Sequence, residues 1–232
     1  MEGAQRIIAI ETSGRYGSIA TLWGAADGSH LIGQIALGDD QRTAQALAPA
    51  LRQLLNDANW APASVKLVAV AVGPGSFTGL RIGVTTAKTF AYAVATEVIG
   101  VNTLEALAAQ TPQSVAPLCT ILDAQRQELF AAKFELDEVG NLRVECETAI
   151  VSQDAWLASL QPGDRVIGPA LGRLTARLPD GIEVMPAELW QPMAAAVGQV
   201  AWKAHQIGQR DDVWTLAPQY YRASAAEEKR PA

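Results

Sequence analysis

The sequence predicts an α/β protein made of two halves with the same order of strands and helices. Short apolar segments alternate between a strand pattern and a helix pattern, and the order of these segments occurs twice along the 232 residues. Hydrophobic residues make up 49% of the chain and charged residues only 18%. This composition supports a sizeable buried core and excludes a disordered chain, which needs low hydrophobicity and high charge.

Three strand-like segments, separated by turn residues, open the first half at residues 5–12, 17–23 and 31–37. Their short spacing predicts an antiparallel meander. A helix is expected next, because apolar residues follow the i, i+3, i+4, i+7 spacing of one helix face. These residues are Ala44, Leu47, Ala48, Leu51, Leu54 and Leu55.

The rest of the first half is predicted as a strand, a helix and a strand. Residues 66–72 form an almost continuous apolar and β-branched run, which is typical of a strand buried on both faces. A glycine-rich turn leads into a helix over residues 80–95, and residues 98–101 form a short strand. The first half therefore reads β-β-β-α-β-α-β.

The second half repeats this order and adds a final helix. Ser152 is expected to cap its first helix, because a serine hydroxyl accepts hydrogen bonds from free amides at a helix start. Strands are predicted at residues 116–123, 128–136, 142–151, 165–167 and 182–185. Helices are predicted at residues 154–160, 171–178 and 193–207.

Two such units in tandem are the layout of the actin-like, sugar-kinase-like (ASKHA) fold. In that fold two ribonuclease-H-like halves, each a mixed sheet with flanking helices, face each other across a cleft. We expect the first half to span residues 1–102 and the smaller second half residues 103–191. The C-terminal segment, about 192–232, is expected to pack back on the first half.

Charge and targeting signals limit the possible partners. The chain has 18 Lys and Arg against 24 Asp and Glu, a net charge of −6, which argues against direct, tight nucleic-acid binding. No signal peptide pattern and no run of ~18 apolar residues is found, so we expect a cytoplasmic protein with no membrane contact. The low charge suggests apolar surface reserved for a protein partner.

The most specific local feature is a glycine loop between a buried strand and a helix. It is not a P-loop, because no lysine follows its glycines, and its GxGxxxG spacing is not the dinucleotide fingerprint. Two interpretations stay open: a tight strand-to-helix connection, or a contact with a ligand or partner. The loop comprises Gly73, Pro74, Gly75, Ser76, Phe77, Thr78, Gly79 and Arg81.

Together with three other segments, this loop carries a family resemblance. The loop reads GPGSFTGLRIG, and the other segments are IAIETSGRYGSIATL, LDAQRQELFAA and LAPQYYRA. From about Ile7 to Arg222 the chain resembles the TsaB (YeaZ) family, the glycoprotease-like proteins of tRNA threonylcarbamoyladenosine modification. The resemblance implies a non-catalytic subunit without a cofactor or metal. It also implies binding to a TsaD-type catalytic subunit and a TsaE-type ATPase, homodimerisation without TsaD, and contact with tRNA only through the complex.

The residues themselves also argue against catalysis by this chain. Its two histidines, His30 and His205, have no second histidine four residues away to form a helical metal pair. Actin-like ATPases usually begin their first phosphate segment with Asp, whereas here the segment is Glu11, Thr12 and Ser13. In the second phosphate segment the bulky Gln125 follows two residues after Asp123. We interpret this as a vestigial cleft; the alternative is an ATPase or phosphotransferase that acts in it.

The helix predicted over residues 80–95 carries a second functional signal. Only Arg81 and Lys88 are charged in it, and both of its sides lack the residues of a solvated face. It is either a central core helix or a helix that meets a partner. In the family, this helix and the preceding one form a bundle with the same helices of TsaD or of a second copy. The predicted partner surface includes Leu47, Leu51, Ile82, Thr85, Lys88, Thr89 and Tyr92.

Overall fold

The first half is a mixed five-stranded sheet in a computed structural model that describes residues 4–38, 43–112, 117–138 and 142–222. Its strands are β1 (Gln5–Glu11), β2 (Gly17–Ala25), β3 (Gly28–Leu37), β4 (Leu67–Gly73) and β5 (Glu97–Asn102). The order across the sheet is β3-β2-β1-β4-β5. The first three strands form the predicted antiparallel meander, and β4 lies parallel to both β1 and β5.

The second half repeats this topology in a sheet ordered β8-β7-β6-β9-β10. Its strands are β6 (Leu118–Gln125), β7 (Glu128–Leu136), β8 (Leu142–Ser152), β9 (Arg165–Ile167) and β10 (Glu183–Val184). Strands β6, β7 and β8 pair antiparallel, and β9 is parallel to β6 and to β10. The two sheets confirm the predicted fold of two ribonuclease-H-like halves.

The helices depart from the predictions in two places. Those described are α1 (Thr43–Asp57), α2 (Phe77–Val94), α3 (Thr103–Ala109), α4 (Gln153–Ser159), α5 (Leu171–Leu174) and α6 (Ala194–Gln206). Helix α3 was not predicted, because it follows β5 without a turn and is too short for a clear apolar period. The predicted helix over residues 171–178 is only α5 and a 3-10 turn, Thr175–Arg177.

Helices cover both faces of the first sheet. On one face, α1 and α2 bury a core with strand residues such as Ile8 and Val70. On the other face, α6 packs Val197 and Trp202 against the sheet, and Gly24 gives the Trp202 ring room, since a Cβ there would lie 2.6 Å from it. The C-terminal helix therefore belongs to the packing of the first sheet.

Helix α3 lies between the two halves. Its Ala106 is buried in the α6 core of the first half. Its Leu104 and Leu107 are buried in a core of the second half with Leu118 and Phe134. The helix thus shares its side chains between both cores.

Candidate functional site

The glycine loop between β4 and α2 lies directly against the end of β1. The Ser76 amide donates to the Ser13 carbonyl at 2.6 Å, and the Ser76 hydroxyl caps α2 by accepting from the Gly79 amide at 3.2 Å. A Cβ on Gly79 would lie 2.0 Å from the Thr12 carbonyl oxygen. The glycines are therefore needed for a close strand-to-helix connection, the first of the two interpretations of this loop.

Glu11, the first residue of the predicted vestigial cleft, is fully buried at the end of β1. One carboxylate oxygen accepts from the Ser13 amide at 2.6 Å. The other oxygen and the Ser13 hydroxyl are buried without a hydrogen-bond partner in the described structure. Burial raises the pKa of Glu11 to about 7, because a charged carboxylate is costly away from water. Thr12 donates its hydroxyl to the Gly79 carbonyl at 2.8 Å.

Asp123, the fourth residue of the predicted cleft, has a different environment. It lies near the end of β6 with its side chain partly exposed, and it pairs with Arg173 at 3.3 Å. Its other oxygen accepts from the Gln125 amide at 2.8 Å. Glu11 is fully buried, whereas Asp123 is paired with an arginine. These residues do not fit a pair of carboxylates that share one metal or one substrate.

The histidines serve structural contacts. His30 is exposed and pairs with Asp27 at 3.1 Å. His205 is buried, pairs with Glu97 at 2.6 Å and stacks on the Trp202 ring. Across residues 4–38, 43–112, 117–138 and 142–222, no three His, Cys, Asp or Glu side chains are grouped to hold a metal ion. Within the same ranges, no helix is long and apolar enough to cross a membrane.

Helix α2 presents one exposed stripe to solvent. Arg81, Thr85, Thr89 and Tyr92 are exposed and follow one another at helical spacing, and Tyr92 is 65% exposed. The opposite stripe, including Leu80 and other apolar residues, is buried on the sheet. The described fold thus packs one side of α2 on the sheet, and the other side carries this exposed stripe.

The remaining residues of the predicted partner surface are less accessible. Leu47 and Leu51 of α1 are buried in the first core, so their side chains face the sheet. Ile82 is half-buried against the same core. The exposed side of α1 instead carries Ala48, Pro49, Arg52, Gln53, Asn56 and Asp57.

Residues 40–168 match the protein-family model described as "TsaD: tRNA N6-adenosine threonylcarbamoyltransferase". A Bacillus subtilis (strain 168) protein named tRNA threonylcarbamoyladenosine biosynthesis protein TsaB is 32% identical, over 78% of this chain and 80% of that protein. The chain belongs to the TsaB family.

Two further relatives align with almost the whole length of this TsaB-family chain. The Escherichia coli (strain K12) protein of the same name is 27% identical, over 97% of this chain and 98% of that protein. The solved structure of YeaZ from Pseudomonas aeruginosa superposes with a TM-score of 0.79 at 24% identity, over 93% of this chain and 99% of that one. The chain therefore has the same fold as the Pseudomonas aeruginosa YeaZ structure.

The C-terminal segment forms a second part of the site. The sequence predicted that it packs back on the first half, but not which residues it contacts. Residues 211–222, here called the strap, run along α2 and cover part of its surface. Lys88 donates to the carbonyls of Trp214 at 3.1 Å and Leu216 at 2.8 Å, and the Trp214 ring contacts Tyr92 edge to face at 5.1 Å. Lys88, predicted as a partner residue, is thus already bound within the chain.

The strap also contacts the glycine loop. Tyr220 stacks on Phe77 with ring centroids 4.5 Å apart. Arg81 donates to the Tyr220 hydroxyl at 2.9 Å and lies over the Phe77 ring at 4.0 Å. The aromatic content of the strap is the sequence signal for such a contact, but the partners of these residues lie more than ninety positions away and follow no periodic pattern.

Proposed function

We propose that this TsaB-family chain acts in tRNA threonylcarbamoyladenosine biosynthesis as a partner subunit. It binds and activates a TsaD-type catalytic subunit together with a TsaE-type ATPase. The observation that carries this proposal is the exposed stripe of α2, where Thr85 and Thr89 allow a second helix to approach closely. The names of the Bacillus subtilis and Escherichia coli relatives support the pathway.

The match to the TsaD family model supports the choice of partner. The matched residues, 40–168, contain both α1 and α2, so a TsaD-type subunit has a sequence related to this pair of helices. Two related helix pairs can pack face to face around an approximate twofold axis. The same geometry allows a homodimer of this chain when TsaD is absent, and a stable interface of this kind buries about 1,600 Å².

The charge of the chain fits a subunit that leaves RNA to its partner. With a net charge of −6, it has an excess of acidic residues, which disfavours binding to nucleic-acid phosphates. We therefore propose that tRNA is contacted indirectly, through the complex, and that the complex works in the cytoplasm.

We also propose that the chain has no chemistry of its own. The buried Glu11 and the arginine-bound Asp123 support this, since neither is placed to organise a metal and a phosphate together. The alternative, an actin-like ATPase or phosphotransferase, predicts that the isolated chain hydrolyses Mg-ATP. We expect no hydrolysis above the rate of a sample without protein, and turnover by the isolated chain would favour the alternative.

The partner surface is tested by placing a large charge on the exposed stripe. Thr85→Arg is expected to lower co-purification with the TsaD-type subunit of the same organism at least about tenfold, because the charge would be buried in the interface. The control is Ala158→Arg, which makes the same change at an exposed residue of α4 in the second half. Undiminished binding by a stably folded Thr85→Arg variant would reject this placement of the surface.

A further inference from the structure

The strap begins on the outer edge of the first sheet. The Asp211 amide donates to the Val98 carbonyl of β5 at 3.1 Å, and the Asp211 carboxylate accepts from the Gly100 amide at 2.7 Å. A little further along, Val213 and Leu216 pack against the core under α1 and α2. The first part of the strap is therefore fixed to the first half.

The middle of the strap crosses the glycine loop. The Gln219 amide donates to the Val72 carbonyl at the end of β4, at 2.8 Å. Gly73 has a φ of +132°, and a Cβ at this position would lie 2.6 Å from the Gln219 carbonyl oxygen. The first glycine of the loop is thus needed for the strap to pass.

The end of the strap is attached to the second half. The Tyr221 ring contacts Phe130 of β7 edge to face at 6.0 Å, while its hydroxyl accepts from Asn102 at 3.1 Å. Arg222 donates to the Ala124 carbonyl at 2.8 Å and forms a salt bridge with Glu128. The side chains of Arg222 and Glu128 are partly buried, so this charge-assisted contact is somewhat better shielded from water than a fully exposed ion pair.

The backbone that Arg222 holds is an unusual turn. Between β6 and β7, Gln125, Arg126 and Gln127 have φ values of 61°, 53° and 60°. Left-handed conformations cost energy in residues with a Cβ and persist where the surroundings fix them. Arg222 contacts Ala124 and Glu128, the residues on the two sides of this turn, and so connects the turn to the strap.

We propose that the strap is a latch that sets the orientation of the two halves. Helix α3, whose side chains are shared between both cores, acts as the hinge, next to the hydrogen bond from the Asn102 side-chain amide to Thr148 of β8 at 3.0 Å. The strap connects the halves through Tyr221, beside the start of α3, and through Arg222, at the turn between β6 and β7. The Arg222 attachment lies away from the hinge and prevents a rotation that the hinge alone would allow, so releasing the latch lets the second half turn about α3 and changes the separation of Glu11 and Asp123.

The test measures the distance between the halves with two spin labels. The exposed Cys146 on β8 is one label site, and Gln53→Cys on the exposed side of α1 provides the other. Cys119 should stay unlabelled, because it is buried and burial raises the pKa of its thiol to about 12. Mixing with excess unlabelled chain leaves only distances within one molecule.

Arg222→Ala is expected to broaden this distance distribution and to add a second population, while the labelled parent chain gives one narrow peak. Hydrogen exchange of the backbone amides in residues 123–128 should rise about tenfold, with α2 unchanged, because local opening follows the loss of local contacts. Arg143→Ala is the control, since Arg143 pairs with Glu135 entirely within the second half.

A second variant keeps the proposal open to rejection if Arg222→Ala does not fold. Arg222→Lys keeps the charge but cannot reach both acceptors as the guanidinium does, and it should give an intermediate broadening. Unchanged distance distributions in whichever of these variants folds would overturn the latch. Equal broadening in Arg143→Ala would overturn it as well, because the effect would then not depend on the strap.

Discussion

The two halves have the same sheet order but differ in the fourth strand and the helix that follows it. In the first half, β4 has seven residues, all buried, and α2 has 18 residues. In the second half, β9 has three residues and α5 has four. The exposed stripe of α2, which we propose as the partner surface, therefore lies on a helix that the second half does not reproduce at the same length.

Both halves nevertheless use the same dipeptide after this strand. Gly73 ends β4 and is followed by Pro74, Gly168-Pro169 follows β9, and the two glycines have φ values of 132° and 139°. A Cβ on Gly73 would meet the strap, whereas a Cβ on Gly168 would lie 1.9 Å from the Ile121 carbonyl oxygen in the central strand β6. A similar glycine φ thus serves two different neighbours, although the Gly73-Pro74 peptide bond is cis and the Gly168-Pro169 bond is not.

The largest expected effect is the difference in stability loss when each of these two glycines is replaced by alanine. Gly168→Ala should lower the free energy of unfolding by about 4 kcal/mol or more, because it adds backbone strain and a clash with a central strand. Gly73→Ala adds the same strain, but the strap can shift away, so we expect a loss of about 2 kcal/mol. Chemical denaturation measures both. Gly172→Ala, which has open space around its Cβ position, is the control and should lose nothing; equal losses at Gly73 and Gly168 would contradict the comparison.

The second-largest expected effect concerns Glu11, the buried acid at the end of β1. Burial raises the pKa of Glu11 from 4.5 to about 7 in the folded chain. The folded state therefore binds this proton more tightly than the unfolded state. The resulting stability is fully present below pH 4.5 and is lost as the pH rises through 7.

Glu11→Gln removes this dependence, because the amide stays neutral. Relative to the unmodified protein, the free energy of unfolding of the variant should rise by on the order of 3 kcal/mol between pH 4 and pH 8. Denaturation curves at both pH values give the difference, and the pH 4 pair is the internal control. A difference that stays constant with pH would show that Glu11 is charged in the folded chain.

The order of strands could be predicted because each strand leaves a local signal. Continuous apolar residues predicted β4, and turn residues separated β1, β2 and β3. Helix α3 left no such signal, and the contact between Arg81 and Tyr220 spans 139 positions, so no local pattern contains it.

Some residues of the candidate site could be predicted from local spacing in the sequence, and others could not. The helical spacing placed Thr85, Thr89 and Tyr92 together on α2, and the structure exposes all three. It also included Leu47 and Leu51, which are buried, because periodicity identifies an apolar stripe but not what covers it. Their role at a partner surface stays a prediction. The full burial of Glu11 at the end of β1 depends on contacts that only the folded chain makes, so no local pattern predicts it.

The smallest expected effect is the loss of stability when the serine that caps one helix in each half is replaced. The Ser76 hydroxyl accepts from the Gly79 amide of α2, and the Ser152 hydroxyl accepts from the Ala155 amide of α4, both at 3.2 Å. Removing such a cap costs about 1 kcal/mol, so Ser76→Ala and Ser152→Ala should lower the free energy of unfolding by similar amounts. Threonine at either position should restore most of the loss, because it keeps the hydroxyl.

Differential scanning calorimetry of the four cap variants separates a cap from a further role of the glycine loop. Ser76 has an additional contact, since its backbone amide bonds to Ser13, but alanine keeps that amide and so keeps the contact. A loss at Ser76 more than about 1 kcal/mol larger than at Ser152 therefore could not come from capping alone. It would mean that the Ser76 hydroxyl also holds the loop on β1, and the two halves would then differ in their turns as well as in helix length.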